Sequence, residues 1–430
     1  MTYAVGVDFG TTNSVIAFAN EQGEVRSVSW PSESGAAQTF RTALSFWKHG
    51  RNFASCAGPE ALDRALAGEP GDRFIQSFKT HLASRVFTEA RLFGKAVTIE
   101  EMIAIFLRHL FFAQGGTQVA DGAFLCAGRP VVFAGERPDE ELGQRRLAAA
   151  YALAGMPQAQ FAFEPLGAAY WHARKLKRDE NVLVADFGGG TSDFALLHFA
   201  LGAQGLEATP LAHGGCGVAG DAFDFRIIDH VISPRLGKNA TYRSLEKTLP
   251  LPAYFHAAFA QWHQISWLKN AKTLNELRHF AEASERGAEL EALAELIEMD
   301  LGFELYQKVG AVKAALSSAP STPLHFAHGG VQIEAEVTRK DFESWIAPDL
   351  ARIEKALEGT LAQAKMGPDK IDAVFMTGGT SYIPALRRLF ESRFGAEKLH
   401  YDNPFQSVAA GLALLAADQR RRAEKNGAAH

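Results

Sequence analysis

Residues 3–20 read YAVGVDFGTTNSVIAFAN, and residues 181–199 read NVLVADFGGGTSDFALLHF. Each stretch is a short apolar run that ends in Asp-Phe-Gly and continues through a Gly/Thr/Ser loop into a second apolar run. Short apolar runs bounded by glycines predict buried β-strands, so strand, glycine-rich turn and strand occur twice. The copies lie almost half a chain apart, which predicts two similar lobes facing each other, with a ligand site between them.

The segments around the two copies alternate between strand-like and helical patterns. Ile99–Phe112 and Pro138–Gly155 have the apolar spacing of helices, with acidic residues near their starts, whereas Gly122–Cys126 and Val131–Phe133 are strand-like. This alternation predicts an α/β fold. Further predicted elements are a hairpin of Leu324–Phe326 and Val331–Val337 around Gly329-Gly330, helices over Arg339–Lys365, Ile383–Phe394 and Phe405–Ala417, and a strand over Ala373–Met376.

Residues 225–317 carry helical periodicity almost throughout, over Phe255–Ala271, Glu285–Met299 and Leu301–Leu316. We therefore predict a mainly helical subdomain inserted in the second lobe. The predicted organisation is lobe I over residues 1–180, with residues 402–430 packing back onto it, and lobe II over residues 181–401, including the insertion at 225–317.

Composition excludes several classes of protein. The 430 residues are 47% apolar and 22% charged, with a net charge of -5, which gives no electrostatic case for binding nucleic acid. Three cysteines without CxxC spacing argue against a disulfide framework and against a zinc site. No signal peptide and no apolar stretch long enough to span a bilayer occur in the sequence, so a cytoplasmic protein without membrane contact is expected.

The two glycine-rich loops suit a phosphate group. A glycine-rich turn after a strand lets backbone N–H groups surround an anion, as expected for Gly10-Thr11-Thr12 and for Gly188 to Thr191. Asp8 and Asp186 would then lie beside the phosphates, where two carboxylates require a cation such as Mg²⁺ between them. Asp193 is a third candidate carboxylate. Either loop alone is more often an ordinary tight turn, and it is their repetition that favours phosphate binding.

Two further glycine motifs have competing interpretations. Residues 215–220, GCGVAG, fit the GxGxxG pattern, but no second strand with a terminal acid follows, so a turn lining the same cleft is favoured over a dinucleotide site. Residues 376–380, MTGGT, either approach a ligand through their backbone or form only a packing turn. The pattern GxxxxGK[ST] is absent from the sequence, which excludes a P-loop protein.

The motifs VGVDFGTTNS, VLVADFGGGTSDF, EPLGAAY at 164–170 and MTGGTSYIPALRRLF at 376–390 resemble those of the DnaK-type heat-shock chaperone family. The chain looks most like the short YegD-like members, which lack a peptide-binding domain. The resemblance implies a two-lobed actin-like ATPase fold of duplicated ribonuclease-H-like domains that binds ATP or ADP with Mg²⁺.

The resemblance also implies roles for individual residues. Gly10, Thr11 and Thr12 would hold the terminal phosphates, and Asp8 and Asp186 would orient hydrated Mg²⁺. The implied catalytic residues are Lys79 (in SFKTHL), Glu164, Asp186, Thr191 and Asp193. The rest of the implied nucleotide-binding set is Asn13, Gly188, Gly189, Gly190, Gly220, Asp221, Lys313, Ser317, Gly378, Gly379, Thr380 and Tyr382. For Lys79, an ordinary surface lysine is the alternative.

The nucleoside end departs from the family pattern. The family's adenine-clasping helix has a Glu, a Lys, an Arg and a Ser on one face, where this chain has Gly310, Lys313, Ala314 and Ser317. The missing Arg removes a stacking contact worth about 1 kcal/mol. Adenine preference is therefore less secure than phosphate binding, although Tyr382 can stack on a base.

The leading functional hypothesis is a chaperone-like ATPase, expected to be a monomer, in which Mg-ATP closes the two lobes and protein clients or co-chaperones are the partners. The sequence leaves no room for the family's peptide-binding sandwich, so the usual refolding route is not assumed. The alternatives are a non-catalytic nucleotide-binding scaffold, a small-molecule kinase of the sugar-kinase type and an actin-like filament protein.

Overall fold

The computed structural model describes residues 4–32, 35–67, 69, 71–112, 124–134, 137–173, 178–202, 205–260, 265, 268–401 and 407–427. The chain forms two compact units: Met1–Ala219, Arg352–Ser381 and Arg387–His430 make the first, and Gly220–Ala351 and Tyr382–Leu386 make the second. The predicted division into lobes 1–180 and 181–401 stays a prediction. Of the segment 402–430 assigned to lobe I, residues 402–406 and 428–430 lie outside the described residues.

The first sequence repeat forms the centre of a sheet in the first unit. The strands of this sheet are β1 (Ala4–Phe9), β2 (Asn13–Ala19), β3 (Val25–Ser27), β6 (Phe40–Arg41), β12 (Phe124–Arg129) and β13 (Gln160–Phe163). Their order is β13-β12-β1-β2-β3, with β6 against β2. β2 runs antiparallel to β1, whereas β12 is parallel to β1 and β13 is parallel to β12.

The strand predicted over Gly122–Cys126 is confirmed within β12, although residues 122–123 lie outside the described residues. The strand predicted over Val131–Phe133 is wrong, because the chain leaves the sheet at Pro130 and bends towards the next helix. A proline has no N–H for a strand ladder, so an apolar run behind it is a poor strand candidate.

The second repeat builds a second sheet of the same design. Its strands are β14 (Glu180–Phe187), β15 (Ser192–Gly202), β16 (Gly205–Cys216), β21 (Ala373–Thr377) and β22 (Leu399–His400), in the order β16-β15-β14-β21-β22. β14 pairs antiparallel with β15 and parallel with β21, as β1 pairs with β2 and β12. The predicted duplication of strand, turn and strand is therefore confirmed, as is the strand predicted at Ala373.

Helices cover both faces of the first sheet. The helices of this unit are α1 (Pro59–Ala67), α2 (Ile99–Phe112), α3 (Glu140–Leu153), α4 (Glu164–Ala173), α12 (Ser407–Gly427) and the C-terminal parts of α10 (Arg339–Ala364) and α11 (Pro384–Phe394). Side chains alternate along β1, so Val5 and Val7 join one core with α2 and α3, whereas Ala4 joins another with α12. Among the described helices, none has the length and apolar character needed to cross a lipid bilayer.

Glycines bring α12 into backbone contact with its neighbours. A Cβ built on Gly6 would lie 2.0 Å from the carbonyl oxygen of Ala409, and one on Gly411 would lie 1.7 Å from that of Gly167. No side chain fits in either gap, so these positions require glycine. The helix predicted over Phe405–Ala417 is confirmed from Ser407, and its predicted start lies outside the described residues.

The two helices predicted before the second repeat are present. α2 has the predicted bounds, and α3 begins at Glu140 rather than at Pro138. The reason is the N-cap: the Asp139 carboxylate accepts a hydrogen bond of 3.0 Å from the backbone N–H of Leu142. Gly155 has a positive φ of 94° and lies just beyond the end of the helix.

Smaller sheets lie between β3 and α2. Their strands are β4 (Trp30–Ser32), β5 (Gly35–Ala37), β7 (Ala43–His49), β8 (Asn52–Ala57), β9 (Arg73–Gln76), β10 (Glu89–Leu92) and β11 (Lys95–Thr98). After β9, Ser77 adopts a positive φ of 54° and the chain enters a short 3₁₀ helix over Phe78–His81. This helix carries Lys79.

The helical insertion over residues 225–317 of a second lobe stays a prediction, and the second unit is itself mainly helical. It contains α5 (Gly220–Ile227), β17 (Thr241–Ser244), β18 (Lys247–Pro250), α6 (Tyr254–Ala257), α7 (Ala271–Glu282), α8 (Gly287–Glu298), α9 (Gly302–Leu316), β19 (Ser321–His328) and β20 (Val331–Thr338). α8, α9 and the β19–β20 hairpin confirm the predictions. The β17–β18 hairpin was not predicted.

The helix predicted over Phe255–Ala271 is wrong. α6 ends at Ala257, and a separate helix begins at Ala271, while residues 261–264 and 266–267 lie outside the described residues. The side chain of Asn270 accepts a hydrogen bond of 2.9 Å from the N–H of Thr273 and so starts α7, which extends beyond the predicted range and was not predicted.

Candidate functional site

Two glycine-rich loops begin where the central strands of the two sheets end. Asp8 and Phe9 close β1 before Gly10, and Asp186 and Phe187 close β14 before Gly188. A Cβ built on Gly10 would lie 2.2 Å from the carbonyl oxygen of Asn13, so only glycine allows this turn. Residues 10–13 and 189–191 are partly exposed, which leaves their backbone accessible to a ligand.

The second loop is a closed turn that touches the Lys79 helix. The N–H of Gly188 donates a hydrogen bond of 3.0 Å to the carbonyl oxygen of Thr191. A Cβ built on Gly190 would lie 3.7 Å from the Thr80 methyl group. The predicted phosphate-covering residues Gly188, Gly189, Gly190 and Thr191 are therefore adjacent to the element that carries the predicted catalytic lysine.

Lys79 is buried and ion-paired, not an ordinary surface lysine. Its residue surface is 6% exposed, and Nζ donates a hydrogen bond of 2.6 Å to Oε1 of Glu164. Glu164 begins α4 directly after β13, at the sheet edge where β1 also ends. Nζ also lies 5.5 Å from the centre of the Phe9 ring. The structure thus brings together two residues that are 85 positions apart in the sequence.

Asp8 and Asp186 face an excess of negative charge. Desolvation by burial raises the pKa of Asp8 well above its usual value, and the nearby carboxylates of Glu164 and Asp186 add to the shift while Lys79 opposes it. Desolvation raises the pKa of Asp186 to about 6; Glu164 adds to this shift, and a hydrogen bond from Thr377 and the charge of Lys79 oppose it. The two aspartates therefore share one electrostatic environment.

Asp193 is the most deeply buried of the predicted aspartates, with 2% of its residue surface exposed. Desolvation raises its pKa to about 8, and Glu164 and Asp186 contribute in the same direction. A hydrogen bond from Thr191 and one of 3.2 Å from the backbone N–H of Val132 oppose the shift. Asp193 is thus held in place by donors from the second glycine-rich loop and from the segment that follows β12.

This donor set fits a hydrated divalent cation. Four carboxyl groups influence one another electrostatically: those of Asp8, Glu164, Asp186 and Asp193. The positive charge of Lys79 lowers the pKa of both Asp8 and Asp186. A bound cation would offset the remaining negative charge. Within the described residues, no group of three or more His, Cys, Asp and Glu side chains could hold a metal ion directly. Binding through the water shell is the mode that the sequence predicts for Asp8 and Asp186.

The third glycine motif packs on the second loop. Gly378 has a φ of 80°, and a Cβ there would lie 2.0 Å from the carbonyl oxygen of Phe187. The Thr380 hydroxyl donates a hydrogen bond of 3.1 Å to the carbonyl oxygen of Gly188. Gly378, Gly379 and Thr380 therefore support the loop after β14, and their contact with a ligand stays a prediction.

The other predicted nucleotide-binding residues belong to the second unit: Gly220, Asp221, Lys313, Ser317 and Tyr382. Lys313 donates a hydrogen bond of 2.8 Å to Asp224 and another of 3.0 Å to the carbonyl oxygen of Gly220, so α9 is tied to the start of α5. Tyr382 is 43% exposed. Within the described residues, nothing lies within 4 Å of a Cβ built on Gly310, where the resemblance would place a Glu.

Sequence reasoning missed three residues that shape these sites. The Thr377 hydroxyl donates a hydrogen bond of 2.6 Å to Asp186, the N–H of Val132 donates to Asp193, and the Asp224 carboxylate pairs with Lys313. Thr377 was detectable, because it stands immediately before the glycine pair of the third motif. A backbone donor such as Val132 leaves no signal in a sequence.

Comparison with known proteins agrees with this geometry. A family model described as "Hsp70 protein" matches residues 142–246 and 277–420, which is more than half of the chain. Chaperone protein DnaK of Thermotoga petrophila and that of Thermotoga maritima are each 28% identical to it over 422 residues, covering 96% of this chain and 59% of the relative. Chaperone protein dnaK of Cyanidioschyzon merolae is 26% identical over 431 residues, covering 97% and 62%.

The chain spans about 59% of the length of the first two relatives. The α/β fold, with its duplicated strand-turn-strand units, is the actin-like ATPase fold of these proteins. The family model covers the second glycine loop, the third glycine motif and most of α12. On this match, the chain belongs to the Hsp70 family.

Proposed function

We propose that this chain binds ATP or ADP together with Mg²⁺ and hydrolyses ATP as a chaperone-like ATPase. The observation that carries the proposal is the pairing of Lys79 with Glu164 among the carboxylates of Asp8, Asp186 and Asp193. Such a charge arrangement, placed beside two glycine-rich loops, suits a polyphosphate and its divalent cation.

In this proposal each group has a defined task. Backbone N–H groups of residues 10–12 and 189–191 bind phosphate oxygens, and Asp8 and Asp186 orient the hydrated cation. Mg²⁺, when bound, neutralises charge on the phosphates. Glu164, Thr191 and Asp193 orient the attacking water, and the Lys79 ammonium approaches that water and the terminal phosphate. Phosphoryl transfer to water depends mainly on such placement and charge compensation.

The lobe closure, the partners and the cellular location are part of the same proposal. Mg-ATP would close the two predicted lobes, protein clients or co-chaperones would be the partners, and the setting would be the cytoplasm. These statements rest on membership of the Hsp70 family, whose sampled relatives are named as chaperones.

The test measures ATP binding by calorimetry and phosphate release by a coupled assay, with and without Mg²⁺. Lys79→Ala should reduce turnover at least 100-fold while ATP affinity stays within threefold, because the lysine acts on the terminal phosphate. Asp8→Asn should weaken the Mg²⁺ dependence of binding. Unchanged hydrolysis in Lys79→Ala would contradict the assignment of Lys79, and absence of any nucleotide binding in the wild-type protein would contradict the function.

A second candidate is a nucleotide-binding scaffold that does not hydrolyse ATP. The observation that favours it is the open space beside Gly310 which, with Ala314, is where the predicted nucleoside end lacks the side chains of the family pattern. Tight ATP binding with no phosphate release above the Lys79→Ala background would support this candidate over an ATPase.

A further inference from the structure

Arg146 connects α2, α3 and the turn that carries Lys79. Arg146 lies on α3, and only 8% of its residue surface is exposed. One terminal nitrogen, Nη1, donates to the carbonyl oxygens of Ser84 at 2.9 Å, Leu82 at 3.2 Å and His81 at 3.4 Å. Its Nε lies 3.3 Å from Oε1 of Glu100 in the first turn of α2.

Of the three carbonyl groups that Arg146 contacts, that of His81 ends the 3₁₀ helix over Phe78–His81, that of Leu82 belongs to its C-cap, and that of Ser84 lies in the turn that follows. The last carbonyls of any helix lack partners within the helix and must find donors elsewhere. The two N–H groups of Nη1 are shared among the three carbonyls, while Nε, in the same rigid plane, faces the Glu100 carboxylate. The N–H of Asp139 donates a further bond of 3.0 Å, to the carbonyl oxygen of Ala83.

This support acts close to the predicted catalytic lysine. His81 is two residues after Lys79, and the N–H of Leu82 donates to the carbonyl oxygen of Lys79 at 3.2 Å. The other end of the 3₁₀ helix begins at Ser77 in a left-handed conformation, which a non-glycine residue adopts only when its surroundings hold it there. The direction of the Lys79 side chain therefore depends on how firmly the far end of the turn is fixed.

We propose that Arg146 is a positioning residue for Lys79, whose hydrogen bonds to the carbonyls of residues 81, 82 and 84 hold the lysine against Glu164. This inference rests on the proposed function, in which Lys79 acts on the terminal phosphate. A displacement of about 1 Å at a reacting group costs up to roughly 100-fold in rate, so the loss of such a clamp is measurable. Arg146 itself touches neither Lys79 nor the predicted phosphate loops in any described contact.

The test compares Arg146→Lys and Arg146→Met with the wild-type protein. Lysine keeps the positive charge, but its single ammonium nitrogen cannot occupy both the position of Nη1 beside the carbonyls and the position of Nε beside Glu100. Methionine keeps much of the length and removes all donors. The matched control is Arg108→Met, because Arg108 also joins α2 to α3, through a bond of 2.9 Å to the carbonyl oxygen of Leu153, away from the Lys79 turn.

The first readout needs no nucleotide. Acetylation of lysines by an amine-reactive reagent, followed by peptide mass spectrometry, reports how well Lys79 is protected by burial and by its ion pair. The Lys79 acetylation rate should rise about 10-fold in Arg146→Lys and more in Arg146→Met, with other lysines unchanged, since each 10-fold corresponds to about 1.4 kcal/mol of lost protection. Arg108→Met should match the wild-type protein.

The second readout separates binding from turnover. We expect kcat for phosphate release to fall about 10-fold in Arg146→Lys, with the ATP dissociation constant within twofold. A folded Arg146→Lys protein with wild-type Lys79 acetylation would overturn the inference, and so would equal changes in Arg108→Met. If the wild-type protein releases no phosphate, the ATPase proposal fails, and the acetylation experiment still decides whether Arg146 positions Lys79.

Discussion

At the scale of single residues, the candidate site combines charge with exclusion of water. Asp193 is 2% exposed and its pKa is raised to about 8, because burial disfavours the carboxylate and Glu164 repels it. The only opposing contributions are hydrogen bonds from Thr191 and Val132. A carboxylate in this state destabilises the protein when no cation compensates its charge, so the ligand-free fold loses stability at a residue that we propose acts in the nucleotide site.

This cost predicts a pH-dependent effect of Asp193→Asn. The folded pKa lies above the unfolded one, so the folded state binds the extra proton, and stability falls as the pH rises from about 4 to about 8. Asparagine keeps an acceptor for the Val132 N–H but has no charge. In urea unfolding without Mg²⁺ or nucleotide, we expect the variant to be more stable than the wild-type protein at pH 9, by on the order of 1–3 kcal/mol, and similar to it at pH 5.

The control for this experiment is Asp63→Asn, because Asp63 is exposed. Its stability should match that of the wild-type protein at both values of pH. An Asp193→Asn protein that is equally destabilised at pH 5 and at pH 9 would show that the side chain is needed for packing and that its charge does not lower the stability of the fold.

At the scale of secondary-structure elements, glycines decide how closely the elements approach. Gly6 on β1 and Gly411 on α12 lie where a Cβ would overlap the backbone of a neighbouring element. Gly359, on the exposed face of α10, has no described atom within 4 Å of a Cβ. Glycine is therefore required at position 411 of α12, whereas a side chain would fit at position 359 of α10.

We predict that Gly411→Ala destabilises the protein by roughly 2–4 kcal/mol, because α12 must move away from the Gly167 carbonyl to admit the methyl group. Gly359→Ala should stabilise it by about 0.5–1 kcal/mol, since alanine favours a helix and meets no obstacle there. Unfolding in guanidinium chloride measures both changes. Equal effects of the two substitutions would show that the close packing of α12 is not energetically important.

Some boundaries of helices could be predicted from the sequence, and others could not. The bounds of α2 were predictable because its apolar spacing, acidic first turn and flanking strand agree with one another. The helix expected over Phe255–Ala271 was wrong, because apolar periodicity reported neither the end of α6 at Ala257 nor the new N-cap at Asn270. Within the candidate site, Asp8, Glu164 and Asp186 are visible from motif repetition and resemblance, whereas the donors Val132 and Thr377 come from segments that lie far from their acceptors in the sequence.

At the scale of the whole molecule, nucleotide binding should be coupled to global stability. A ligand that binds only the folded chain adds about 2.7 kcal/mol at 100 times its dissociation constant. ATP with Mg²⁺ should therefore raise the unfolding temperature by several degrees in a thermal-shift experiment, and ATP with a chelator should raise it less. Asp8→Asn should remove the difference between these two conditions, and an identical shift with and without Mg²⁺ in the wild-type protein would contradict a cation-dependent site.

The contact between α12 and β1 has a consequence for biosynthesis. β1 is made from residues 4–9, but the helix that completes the core on one of its faces comes about 400 residues later. At about 5–20 residues per second, this face of the sheet stays uncovered on the ribosome for roughly 20–80 s. During that interval Ala4 and its neighbours in the sheet lack the apolar partners that α12 supplies in the folded protein, so we expect this core to form only after α12 has been synthesised.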